Sequence, residues 1–188
     1  MSDKNRELYI SEIEKWAAYD KDKNTMGLPN SYDCADVAVY LYGKAIELTD
    51  TGLSTSDLMH NGSALPYISA ISSTDFFKDQ TDNIDFYSDT KFNNPNVEVG
   101  TLMVWKGPGY DSETKTGWNG HVATVVGVTR DKKGNVTKIT IIEGHTGGNK
   151  TEVVDITSQK DLDSYKGTFL GFGEIGAGSS LDLPATEK

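Results

Sequence analysis

The sequence predicts an α+β fold. Two observations carry this: apolar residues recur at helical spacing in the N-terminal part of the chain, and from Val99 onward the apolar runs and turn residues follow a strand pattern. The length, 188 residues, fits one domain able to bury its own core. The expected organisation is a single domain over residues 1–175, an insertion at about 49–98, and a small, polar, frayed tail over 176–188.

Taken in order, residues 5–20 read as an amphipathic helix, with Tyr9, Ile13 and Trp16 at helical spacing. Residues 21–32 form a loop marked by Gly27, Pro29, Asn30 and Ser31. A second helix starts at about Asp33. Asp33 is placed to be its N-cap and Asp36, three residues on, the acid of a capping box. Cys34, Val37, Ala38, Leu41 and Ala45 share one face of it. Residues 49–98 are rich in Asp, Ser, Thr and Asn and are expected to hold short helices and irregular loops. Strands follow at Thr101–Lys106, His121–Thr129, Val136–Glu143, Thr151–Ile156 and Thr168–Glu174. Gly107–Asn119 is expected to be a loop, and Lys133-Gly134-Asn135 a turn between antiparallel partners.

Composition excludes some functions. Eighteen basic residues against 28 acidic ones leave a net charge of −10, which argues against a nucleic-acid binder or a polybasic membrane binder. Most of that charge, −9, lies in residues 1–98 and reads as a solvated acidic face. The opening MSDKNRELYI carries no apolar segment of a secretory signal, and the longest apolar run, Val37–Tyr42, is far short of a membrane span. One cysteine rules out an internal disulfide and any CxxC site.

That cysteine and the three histidines, His60, His121 and His145, bound the chemistry. Cys34 sits in the first turn of its helix, where the dipole favours a thiolate, while Asp33 and Asp36 oppose it. A buried structural thiol is the competing reading. His121 opens a strand whose pattern implies burial on both faces. On the partner strand, Ile139, Ile141, Glu143 and His145 share one face by period-two alternation. The hairpin therefore brings His121 and Glu143 or His145 to the same open end. A nucleophile, a base and an orienting group are thus present in the order Cys–His–polar. His60, in the Asp/Ser-rich stretch, reads as a surface turn residue. Zinc ligation by Cys34, His121, His145 and Glu143 is an alternative, although no two of them show a short zinc-motif spacing. A non-catalytic binding module is another. No cofactor is expected.

The segments Tyr32-Asp33-Cys34, Gly100-Thr101-Leu102-Met103-Val104-Trp105, Gly120-His121-Val122-Ala123 and Ile142-Glu143-Gly144-His145 resemble the successive signatures of NlpC-type and CHAP peptidoglycan peptidases, which are papain-like. The resemblance covers residues 5–48 and 99–175. It implies N-terminal helices packed on an antiparallel sheet or half-barrel, Cys34 as nucleophile, His121 as base, and Glu143 or His145 as third residue. It places Tyr32, Asp33, Trp105 and Trp118 on the substrate side, with Gly107–Asn119 as a groove wall. Two positions depart from the pattern: Ala35-Asp36 stands for the usual Ser-Gly, and Thr101 for the usual Asp. The implied activity is hydrolysis of stem or cross-bridge amides of peptidoglycan, and a transferase would use the same residues. The implied place of action is the bacterial cell wall. Delivery is by specialised secretion, as for the small amidase effectors of type VI systems, by lysis, as for phage lysins, or after removal of a leader. The insertion is a candidate dock for a cognate inhibitor or immunity protein.

Overall fold

In a computed structural model, the chain is described at residues 3–20, 23, 26, 28, 32–48, 59–60, 63–64, 84–111, 113, 116–144 and 151–175. Its elements are α1 (Asp3–Glu14), a 3₁₀ turn (Lys15–Ala18), α2 (Cys34–Ile46), β1 (Met59–His60), β2 (Ser63–Ala64), β3 (Ile84–Phe86), β4 (Leu102–Asp111), β5 (Thr116–Arg130), β6 (Val136–Glu143), β7 (Glu152–Ile156), α3 (Gln159–Ser164) and β8 (Thr168–Ile175). The fold is α+β, as expected. A six-stranded, fully antiparallel sheet runs in the order β3-β8-β4-β5-β6-β7, and β1 and β2 form a separate small ribbon. Among the described residues, no helix is long and apolar enough to cross a membrane.

The sheet carries a core on each face. On one, α1, the 3₁₀ turn and α2 bring Ile13, Trp16, Val37 and Leu41 against Leu102, Val104, Val122, Val126 and Ile142. On the other, Met103, Trp105, Ala123, Val125, Ile139 and Ile141 pack with Phe92, Val97, Leu162 and Phe172. Alternation along β5 accounts for both: Val122 turns to the helices, Ala123 and Val125 away from them. This double burial is why β5 and β6 are so apolar.

Three expectations need correction. The first helix ends as an α-helix at Glu14 and tightens into the 3₁₀ turn, whose C-cap Tyr19 is already extended. The glycine-rich stretch 107–119 is largely strand rather than loop. After an irregularity between Lys106 and Gly109, the β4–β5 ribbon continues through Gly109↔Trp118, Tyr110↔Gly117 and Asp111↔Thr116. Main-chain pairing across the ribbon outweighs the low strand propensity of its glycines. Finally, the described parts of 49–98 hold short strands at 59–60, 63–64 and 84–86 in place of short helices, with irregular backbone over 87–98 as expected. From residue 84 the stretch belongs to the main body: β3 pairs with β8, and Phe92 and Val97 enter the core. The rest of that stretch and the expected tail, 176–188, lie outside the described residues.

The turn between β5 and β6 is as expected. Gly134 adopts φ +85°, where an L side chain is strained. Asp131 Oδ1 accepts hydrogen bonds from the Lys133 and Asn135 amides at 2.7 and 2.9 Å.

Candidate active site

The site begins at the N-terminus of α2. Asp33 caps it: one carboxylate oxygen accepts from the Ala35 and Asp36 amides at 2.9 and 3.0 Å, and Asp36 Oδ2 accepts from the Asp33 amide at 3.2 Å. This reciprocal box explains the acid at position 36, where the resemblance leads one to expect glycine. The Asp33 carbonyl takes the Val37 amide at 3.1 Å. The Cys34 amide stands outside this set of cap bonds.

Cys34 is the first residue of α2 and is only 7% exposed. Burial pushes its thiol up to about 12. The nearby Asp33 and, more weakly, Glu143 add to the rise, and the Val122 and Ala35 backbone N–H groups oppose it. Desolvation and the Asp33 charge therefore outweigh the pull of the helix dipole, and the resting sulfur is a protonated thiol.

The other half of the site is on the sheet. His121 pairs in register with Trp105 across β4 and β5, and their rings are 5.8 Å apart. His121 is 5% exposed and Glu143, at the end of β6, is wholly buried. The His121 Nε2 and Glu143 Oε2 atoms are in direct contact. Glu143, one of the two candidates for the third position, is thus brought to His121. His145 lies outside the described residues. A proton carried on His121 Nε2 would be donated to that Glu143 carboxylate oxygen.

Cys34 meets β5 next to His121. Val122, the residue after His121, presents its backbone N–H to the Cys34 sulfur. The Val122 and Ala35 backbone N–H groups both donate to the sulfur. The end of β6 is drawn in as well: a Cβ on Gly144 would lie 2.6 Å from the Asp33 carbonyl oxygen.

The residues expected on the substrate side take other roles. Trp105 is wholly buried, its Nε1–H donates to the Leu162 carbonyl at 3.0 Å, and its ring backs His121. It supports the imidazole instead of touching a ligand. Tyr32 is buried edge-on against Tyr40, and Asp33 is occupied as the cap. Trp118 lies in β5 opposite Gly109, with its side chain outside the described set. His60 is in β1, not a turn, and pairs with Ser63.

Tyr165 carries no local sequence signal. Its hydroxyl donates to the second Glu143 oxygen at 2.6 Å, and Lys166 Nζ lies 4.0 Å from that oxygen. Among the described residues, no three His, Cys, Asp or Glu side chains are grouped to hold a metal ion. No family model, curated protein or solved structure matches the chain.

Proposed function

We propose that the protein is a cysteine hydrolase of papain-like type that cleaves amide bonds in peptidoglycan stem or cross-bridge peptides. The observation that carries the reading is the buried His121–Glu143 pair, held beside the strand residue whose N–H faces the only thiol. Glu143 holds His121 with Nε2 protonated. As Cys34 Sγ attacks the carbonyl carbon, its proton passes to His121 Nδ1, so a raised thiol is deprotonated during attack rather than at rest. The Cys34 amide, outside the cap, donates to the developing oxyanion. His121 then returns the proton to the leaving amine. Water hydrolyses the thioester, releasing the acid and restoring the thiol. The substrate class and the cell-wall site of action rest on the sequence resemblance, as does delivery from outside or by lysis. The partners are the peptidoglycan peptide and, on the same resemblance, a cognate inhibitor.

One observation favours a second reading. A buried, protonated Cys34 also suits a binding module on this fold that cuts nothing. Mass spectrometry of purified peptidoglycan incubated with wild type and Cys34→Ala separates the two. New termini with wild type alone support the hydrolase, whereas identical digests, or cleavage by both proteins, overturn it.

A further inference from the structure

A carboxylate with no exposed surface is costly unless every lone pair is engaged. At Glu143 the two oxygens are divided: Oε2 meets His121, and Oε1 accepts the Tyr165 hydroxyl at 2.6 Å with Lys166 Nζ at 4.0 Å. Tyr165 is itself held. It is the C-cap of α3 and packs 5.5 Å from the Trp105 ring, while Trp105 Nε1–H donates to the Leu162 carbonyl in the same helix. α3 is fixed by its own N-cap, Ser158 Oγ, which accepts from the Asp161 amide at 3.1 Å, and by the fully buried Leu162. Burial and the Glu143 charge both push the Tyr165 phenol up, so it remains a donor.

We infer that Tyr165 is a positioning residue: through Oε1 it locks the Glu143 carboxylate in the rotation that presents Oε2 to His121. One short helix then clamps both the ring behind the imidazole and the acid beside it. The inference rests on the hydrolase reading for its catalytic consequence, but not for its geometry. Pairing through two fixed oxygens also explains why the third group is an acid: it offers two acceptors in one plane, one for each donor.

The test is Tyr165→Phe, which keeps the ring against Trp105 and removes only the donor. The first readout is the downfield imidazole N–H proton signal of His121 in the full chain, assigned by its loss in Glu143→Gln. Exchange of that proton with water should quicken severalfold in Tyr165→Phe at unchanged folded-state circular dichroism. An unchanged exchange rate overturns the inference. Should Tyr165→Phe not fold, Leu162→Ala, which loosens α3 from beneath, must produce the same quickening, and its absence again overturns the inference. The second readout is turnover: kcat should fall roughly tenfold to a hundredfold with KM retained, and a rise in KM alone overturns the positioning role. A wild type that cleaves nothing overturns the hydrolase reading, and the proton signal still decides the role of Tyr165.

Discussion

Gly144 touches the Asp33 backbone: any side chain there would meet the Asp33 carbonyl oxygen at 2.6 Å and Val37 Cγ2 at 2.8 Å. The residue after Glu143 is therefore pressed on the residue before Cys34. This contact joins the end of β6 to the start of α2.

Gly144→Ala should accordingly cost more than an ordinary overpacking. The methyl group meets backbone, which cannot rotate aside. About 1–3 kcal/mol of stability should be lost, and activity on peptidoglycan should fall by more than the folded fraction does. A urea melt and an assay on the same preparation check this. Gly134→Ala is the control, because that position opens to free space and is strained only by its φ of +85°.

Asp33 does two jobs that one substitution separates. Its carboxylate caps α2, and after burial its charge is the largest cause of the raised Cys34 thiol. Asparagine caps a helix about as well as aspartate, so Asp33→Asn should change stability by only about 0.5 kcal/mol. Removing the negative charge lowers the thiol's ionisation point. Alkylation of Cys34 by iodoacetamide at pH 8 should then speed up roughly threefold to tenfold. Asp33→Ala removes both effects and should also lose about 1 kcal/mol. An unaltered alkylation rate in Asp33→Asn would show that the charge is not felt at the sulfur.

The buried thiol also predicts how stability depends on alkali. Its ordinary value is 9.0 and its folded value about 12. Between the two, the unfolded chain releases a proton that the folded chain keeps, so stability is fully present below pH 9 and falls as pH rises. By pH 10 the loss should be about 1 kcal/mol. Cys34→Ala should lack this slope in melts at pH 8, 9 and 10. The window ends there because the partly buried tyrosines Tyr42 and Tyr87, also pushed up by desolvation, begin to add slopes of their own.

Much of this was legible in the sequence where a local rule and a long-range one agreed. The start of α2 was readable because the Asp33–Asp36 box and the apolar face from Cys34 to Ala45 point the same way. β6 was readable from its apolar run and its turn. Counting outward from Gly134 brought His121 to the end of the hairpin that holds Glu143 and His145, without choosing between them, and bulges near Val125 and Thr129 shift the register. Other features had no local signal. α3 is six residues with one buried side chain, Leu162, too short for any periodicity. Tyr165 sits in Ser-Tyr-Lys, which marks nothing, and its partner is 22 positions away. The groove role expected of Trp105 failed for a related reason: strand position says which face a side chain takes, not whether that face is covered.

The strand order has a consequence for how the chain reaches this state. β8, last in sequence, lies between β3 and β4. During synthesis β3 emerges long before β8, its partner in the sheet, and β4 can zip to β5 while its other edge stays open. The β4–β5–β6 meander forms from neighbours, but closure waits on contacts between segments about ninety residues apart, as in Ile84↔Ile175, which slows the final step. Until that strand arrives, the exposed β4 edge beneath Trp105 is the part of the nascent chain most open to pairing with another molecule.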